Sequence, residues 1–525
     1  MRTLQHPILQ YRWHVKETNA GAQLVYFGLR NPPNHTRSII PLPRELADGL
    51  RSLDGRTASK DLPSDLTGHE MYARLVAEGI IVEAHEIRQP SSKDNFQQCV
   101  RCVTNDYVVP GLEFDTNGLC AFCQCYELAE KSGQGAIMQD GITDEDLIRI
   151  SSENSGSRFD AMVLYTGGKD STYLLWYLAK KLKLRVLVAS WNMPYTNDTS
   201  RENMRRAMRV LPDVEFVDHT LPWGMVRQAM RDQFERVGWP CLCPTVAHAL
   251  FYPLAVQENI PLIMHGVEEV QLAVMNYVMT EIRTGQQHEE RVPDHRADTL
   301  NFLRMVATVS EPPQPYSLTA DLARHMSSVS ELLAPVYKPL NDILTRAQSD
   351  PNMPIPILRR LQSNTAYGSW SKAVELMKQE MDWQMPPGQK GLLHTSCRIE
   401  KIKDYCQFRR FQGARSTFFP QSIIELGAGV YFGLVSREDA LEELQELGYY
   451  NEPRVLSELT RDLGIDRGEG QAPGEMSWTL GDKRGTHSET DGTPGSQTTG
   501  YPQENRKDWN GESNEVQKAR SVRTD

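Results

Sequence analysis

The sequence predicts an α/β fold in which a parallel β-sheet carries helices on both faces. Three observations lead there. Between about 155 and 310, short apolar runs alternate with amphipathic stretches of helical period, the pattern of strands joined by crossover helices. A glycine pair directly follows the first apolar run and opens into one of those helices. The cysteines fall in clusters instead of being scattered.

The apolar runs are Met162 to Tyr165, Leu184 to Ala189, Val214 to Val217 and Leu262 to His265. A small α+β module is expected before them, over 1–90. There Gln23 to Gly28 reads as a strand, and Pro43 to Leu53 as a helix with Leu46 and Leu50 on one face. Met71 to Glu78 reads as a second helix closed by Gly79, and Ile80 to Val82 as a short strand. The order resembles a winged helix, of the kind that serves as a small peptide-binding adaptor, but a plain structural cap has the same order and is the leading reading. A cysteine-rich knuckle occupies 95–130. After the sheet region (155–310) comes a breaker at Glu311 to Tyr316, then a mostly helical region over 317–466. In it Ser436 to Asp439 reads as a capping box opening a helix with Ala440, Leu441, Leu444 and Leu447 on one face. From 468 to 525 aliphatic residues almost vanish and no period survives, so the tail reads as disordered.

A chain of 525 residues has room for two or three domains, and 39% hydrophobic with 24% charged residues is the balance of a soluble globular protein. The formal net charge of −11 argues against generic binding along a nucleic-acid backbone, which needs a dense basic surface. No apolar run is long enough to cross a bilayer, and Met1 to Pro7 lacks the apolar core of a signal peptide, so the expected address is the cytoplasm.

The most informative segment is Thr166-Gly167-Gly168-Lys169-Asp170-Ser171. Adjacent glycines let the backbone approach an anion closely. The helix that follows points unpaired N–H groups and its positive dipole end at the same place. Lys169 adds a point charge, Thr166 and Ser171 offer hydroxyls, and Asp170 can orient Mg2+. This is chemistry for a pyrophosphate group. It is not a Walker A loop, because Val163 stands where that motif needs its first glycine and Asp170 stands where it needs Ser or Thr.

The segment resembles the S-G-G-x-D-S signature of PP-loop ATP pyrophosphatases, with Thr166 in place of the first serine. The resemblance implies ATP as cofactor, cleavage between the α- and β-phosphates, and transfer of AMP to a substrate oxygen. It further implies that the end of the second strand, Ala189-Ser190-Trp191-Asn192, lies near the adenine or ribose, with Ala189 and Ser190 as the binding candidates.

Cys99, Cys102, Cys120 and Cys123 form a C-x2-C-x17-C-x2-C pattern, in which two thiolate pairs can close a tetrahedron around Zn2+. The residues around it, Cys102 to Asp106 and Phe114 to Cys120, resemble the N-acetyl sugar amidotransferase family. So do His394 to Glu400 and Gly433 to Ala440. That resemblance runs in blocks from about Asn95 to Tyr450 and implies a small acceptor (a sugar or a nucleotide) together with a separate partner that supplies ammonia.

Cys241 and Cys243, in the turn Pro240 to Pro244, and Cys397 far downstream admit three readings: buried thiols of a turn, ligands of an iron–sulfur cluster, or a sulfur relay fed by a sulfur-supplying protein. Gly266 after the fourth strand permits close backbone approach at the carboxyl edge of the sheet, where such folds bind ligands. Glu268 and Glu269 beside it are candidates for binding Mg2+ or orienting substrate, or are solvated carboxylates of a surface turn. Two enzymatic readings lead, ATP-dependent amidation first and ATP-dependent sulfur transfer second. A non-catalytic nucleotide-binding adaptor is third.

Overall fold

A computed structural model of the chain describes residues 3–18, 21–32, 34, 37–131, 141–237, 240–266, 294–307, 329–361, 368–414 and 419–465. Glu268 and Glu269, the breaker at 311–316 and the tail at 468–525 lie outside these residues.

The N-terminal module holds five strands: β1 (Pro7–Leu9), β2 (Trp13–Thr18), β3 (Gly21–Tyr26), β4 (Ile39–Leu42) and β5 (Ile81–Glu83). β2, β3 and β4 form an antiparallel sheet, and β1 pairs with β5. Its helices Arg44–Arg51 and Glu70–Ala77 turn Leu46, Leu50 and Leu75 onto Leu24 and Trp13. The module is latched to the rest of the chain by Arg12, a buried residue in the left-handed region at φ 73°. Its guanidinium donates to the carbonyls of Phe27 and Phe411, and to that of Gln412 at 2.7 Å.

The central sheet contains β6 (Ala161–Leu164), β7 (Val186–Trp191), β8 (Glu215–His219), β9 (Leu262–His265) and β10 (Ile357–Arg359), all parallel, in the order β10-β9-β6-β7-β8. β10 falls within a region whose pattern reads as helical. Three residues carry no period of their own, and they are held as a strand by pairing with β9, Ile357 against Leu262.

Because neighbouring side chains of a strand point to opposite faces, the sheet separates two cores. Met162, Leu187, Ala189 and Ile263 face one core, which they share with the cysteine knuckle and the C-terminal helices Ile399–Gln412 and Gln421–Tyr431. Ala161, Val163, Val188, Leu262 and Met264 face the other, with the helices Lys169–Trp176 and Trp370–Met381. Ser436 caps the Arg437–Glu446 helix by accepting the Asp439 N–H at 3.0 Å, and Ala440 and Leu444 are fully buried on its inner face.

The helix after β6, Lys169–Trp176, and the next described helix after β9, His295–Ala307, lie in the cores on opposite faces of the sheet. A crevice opens at the carboxyl ends of strands at such a reversal of strand order. Thr166–Ser171 follow β6 and Gly266 follows β9, so the two expected features meet at this point.

No helix among the described residues is long and apolar enough to cross a membrane.

Candidate functional site: a glycine loop beside three thiols

Gly168 is the N-cap of the Lys169–Trp176 helix. Thr166 and Ser171 staple the loop, with the Thr166 N–H donating to Ser171 Oγ at 3.2 Å and the two hydroxyl oxygens 3.1 Å apart. Thr172 Oγ1 donates to the Gly168 carbonyl at 2.7 Å. The Gly167 carbonyl accepts from the Trp383 indole at 3.0 Å and from Asn203 Nδ2 at 3.3 Å.

The three glycines are required by close packing. Gly167 has φ +73°, and a Cβ there would lie 2.3 Å from the Ser200 carbonyl oxygen. One at Gly168 would meet Ser396 Cβ at 3.0 Å and Thr395 Oγ1 at 3.2 Å, and one at Gly266 would meet the Ser171 nitrogen at 2.7 Å. Neighbouring chain therefore occupies part of the space that the sequence reserves for an anion.

One sequence expectation changes here. The Lys169 ammonium is turned inward: it is buried, paired with the Asp170 carboxylate, and 5.2 Å from the centroid of the Trp370 ring. Of the strand-end segment, Ala189 and Ser190 are buried within β7, and Ser190 Oγ makes its contact with Met204 Sδ at 3.6 Å. The strand runs on to Trp191, so the residue at its open end is Asn192. That residue lines a cleft of about 520 Å³ with Arg201, Thr220 and Trp223.

The segment Leu393 to Arg398 crosses the loop. The Lys169 N–H donates to Thr395 Oγ1 at 3.1 Å. The Thr395 carbonyl accepts from Asn197 Nδ2 and Ser200 Oγ, each at 2.9 Å, and the Ser396 carbonyl accepts from the Asn197 N–H at 3.0 Å. Sequence reasoning noticed this segment as a block but missed its contact with the loop, because nothing local encodes a partner more than two hundred residues away.

The next residue is Cys397, which the fold brings into electrostatic contact with Cys241 and Cys243. Cys241 is buried, while the other two are half-buried. A hydrogen bond from Cys243 and the charge of Lys403 bring the Cys241 thiol down to about 7, against the opposing effect of burial. The same Cys241–Cys243 contact, with burial, raises Cys243, and burial with the Glu400 charge raises Cys397.

A buried charged layer backs the thiols. His394 Nε2 lies 2.6 Å from Asp404 Oδ2 and 2.8 Å from Ser422 Oγ, and Nδ1 faces Glu400 at 3.5 Å. Burial opposes the imidazolium, but Asp404 and then Glu400 outweigh it and hold the ring up to about 10. Lys403 donates to Gln421 Oε1 at 2.9 Å. His265, at the end of β9, is pushed by burial down to about 4 and stays neutral, which removes it as a cationic phosphate ligand.

The other four cysteines form a different site. Cys99, Cys102, Cys120 and Cys123 are buried, with every sulfur within 4.8 Å of the others. Cys99 lies 3.9 Å from Cys123, and Cys102 lies 3.7 Å from Cys120. Four sulfurs each about 2.3 Å from one tetrahedral ion stand about 3.8 Å apart, so the spacing fits a single metal ion. An iron–sulfur cube, whose ligands bind different irons, needs them farther apart. The N–H groups of Thr104 and Cys120 donate to Cys102 Sγ and Cys99 Sγ at 3.4 and 3.3 Å, the contacts that support thiolate ligands. Among the described residues this is the one group close enough to share an ion; Cys241, Cys243 and Cys397 are not.

No family model and no curated protein matches the chain. Among solved structures, the U34-tRNA thiolase NcsA from Methanococcus maripaludis, with its [4Fe-4S] cluster, aligns at 12% identity and a TM-score of 0.20. The alignment covers 47% of this chain and 88% of that one.

Proposed function

We propose that the chain is an ATP-dependent sulfurtransferase of the PP-loop ATP pyrophosphatase class. One observation carries the choice. The Leu393–Arg398 segment touches the glycine loop through Thr395 and, two residues on, carries Cys397 within electrostatic range of Cys241 and Cys243. An amidating enzyme uses free ammonia and has no need of thiols beside its phosphate site. The order of the two leading readings therefore reverses: the block resemblance favours amidation, and the gathered thiols favour sulfur.

In this reading Thr166 to Ser171 bind the β- and γ-phosphates of ATP, with Asp170 directed at Mg2+. An oxygen of the acceptor attacks the α-phosphorus, and the bond to the β-phosphate breaks to release pyrophosphate. Sulfur arrives as the outer atom of a persulfide on one of the three cysteines, loaded by a sulfur-supplying protein. The persulfide attacks the activated carbon, and AMP leaves with the oxygen. A second cysteine then attacks the inner sulfur, freeing the thiolated product and leaving a disulfide for an external thiol to reduce. Cys241 is the best placed to start as thiolate, because Lys403 favours its charge. The acceptor is a small molecule or a nucleotide, and the cleft past Asn192 is the place for it. The cysteine knuckle holds Zn2+ as a structural ion. The three-thiol group, too widely spaced for one ion, has the donor chemistry of a cluster site, and an iron–sulfur cluster there would carry sulfur in place of a persulfide.

The test is to incubate the protein with a cysteine desulfurase and cysteine, then map sulfane sulfur by peptide mass. Gain of one sulfur on a peptide carrying Cys241, Cys243 or Cys397 is expected. Protein that takes up no sulfur and forms product from ammonium ions with all three cysteines changed to serine would restore amidation.

A further inference from the structure

We infer that Thr395 fills the acceptor position of the phosphate loop, so that nucleotide must displace it to bind and in doing so moves Cys397. The inference rests on the nucleotide reading of the loop.

The first N–H groups of a helix have no partner within it and are the donors that a phosphate oxygen takes. Here the first of them, on Lys169, is already engaged by Thr395 Oγ1 at 3.1 Å, with Thr395 only 6% exposed. The contact belongs to a wider fit: Gly168 lacks a side chain where Ser396 and Thr395 press on it, and Gly167 lacks one where the Ser200 backbone does. The hydroxyl thus stands where a phosphate oxygen would.

A neutral hydroxyl is a weaker acceptor than a phosphate oxygen, since hydrogen bonds to charged oxygens are roughly twice as strong. A nucleotide that reaches the loop therefore outcompetes Thr395. The segment is held at both ends. It is anchored upstream where Glu443 accepts the Leu392 and Leu393 N–H groups at 2.9 and 2.6 Å. Next to that anchor His394 takes φ +56°, a conformation in which a non-glycine residue stores strain. Downstream, Cys397 bridges Thr196 and the Arg398 N–H donates to the Tyr195 carbonyl at 3.0 Å. Displacement of Thr395 pulls on the backbone two residues before Cys397 and works against the Thr196 pairing, the nearer of the two downstream contacts, so that Cys397, half-buried in the resting arrangement, shifts with it. Linkage makes the effect reciprocal: what moves the segment away from the loop also tightens nucleotide binding.

The full-length protein is titrated calorimetrically with α,β-methylene-ATP and separately with inorganic pyrophosphate. Thr395→Ala should bind about tenfold more tightly than wild type, the worth of one neutral hydrogen bond removed from the competing state. Thr395→Ser, which keeps the hydroxyl, should match wild type. Unchanged or weaker binding by Thr395→Ala overturns the inference, because the hydroxyl is then inert or is itself a phosphate ligand. Wild-type protein that binds neither probe sinks the nucleotide reading instead. Should Thr395→Ala fail to fold, iodoacetamide labelling of wild-type Cys397, read by peptide mass, decides the matter. Pyrophosphate is expected to change the labelling rate at least threefold on the order-of-magnitude worth of one such contact, and an unchanged rate overturns the inference.

Discussion

The two cysteine sites of this chain are built from the same side chain and behave as opposites. In the knuckle, four buried sulfurs come within 4.8 Å of one another, and backbone N–H groups point at two of them. In the second site, three thiols lie within electrostatic range of one another without forming a group that could share an ion, and the charges of Lys403 and Glu400 act on them. Close convergence cancels charge through a metal and makes a rigid support. Looser spacing beside a buried ammonium leaves a thiolate able to react. What separates a structural cysteine from a chemical one is how the surroundings balance its charge, and both kinds occur here at short local spacings.

The largest test breaks the comparison at the knuckle. Cys99→Ser should lose the bound metal and cost on the order of 4 kcal/mol or more of stability, since the ion contributes directly to folding. Cys241→Ser should unfold near the wild-type midpoint and lose sulfur transfer while pyrophosphate release continues. Metal analysis with parallel urea titrations reads the contrast, and equal destabilisation by the two changes would erase it.

Next comes the charged layer behind the open site. The folded-state value of His394, about 10, lies above its ordinary 6.5, so the folded protein holds that proton more tightly. Its contribution is whole below pH 6.5 and is lost progressively as the pH rises to about 10. Glu425, raised by burial to about 7 from 4.5, acts in the same direction over its lower window. The His394 contribution to stability against urea, read as the difference between wild type and His394→Gln, should therefore fall by a few kcal/mol between pH 6.5 and 10, since a tenfold difference in proton affinity is worth about 1.4 kcal/mol. Cys241, held down to about 7, acts in the opposite sense above that pH. His394→Gln should be less stable at about pH 6 and flatter in its pH profile; a profile as steep as wild type would take His394 out of the account.

At the loop, Asp170→Ala should slow pyrophosphate release about a hundredfold or more, because the residue organises phosphate and Mg2+ charge. It should also lower the midpoint of unfolding, because the buried Lys169 ammonium loses its carboxylate partner. Full activity in that variant would remove the pyrophosphatase reading and leave the thiols without an activated partner.

The smallest effect sharpens the picture of the knuckle as a docked support. Gly427 faces it, and a Cβ there would come within 2.8 Å of Thr104 Oγ1. Gly427→Ala should cost about 1–3 kcal/mol by overpacking, with metal retained. A neutral result would mean that the knuckle moves freely against the Gln421–Tyr431 helix.

By itself, the sequence determined the features whose physics is local. Two Cys-x-x-Cys turns hold their thiols at metal-ligand spacing, and Thr166 to Ser171 lie between an apolar strand and a helix start because each of those signals spans only a few residues. The alternating runs announced four of the five parallel strands for the same reason. Only the tertiary structure decided the rest. β10 is too short to carry a period and exists through its pairing with β9. Thr395 reaches the Lys169 N–H, and Cys397 comes within electrostatic range of Cys241, because the Ile399–Gln412 helix packs into the core beneath the sheet. Such contacts arise from burying apolar surface shared by distant segments, and no local window of residues records which segments will share it.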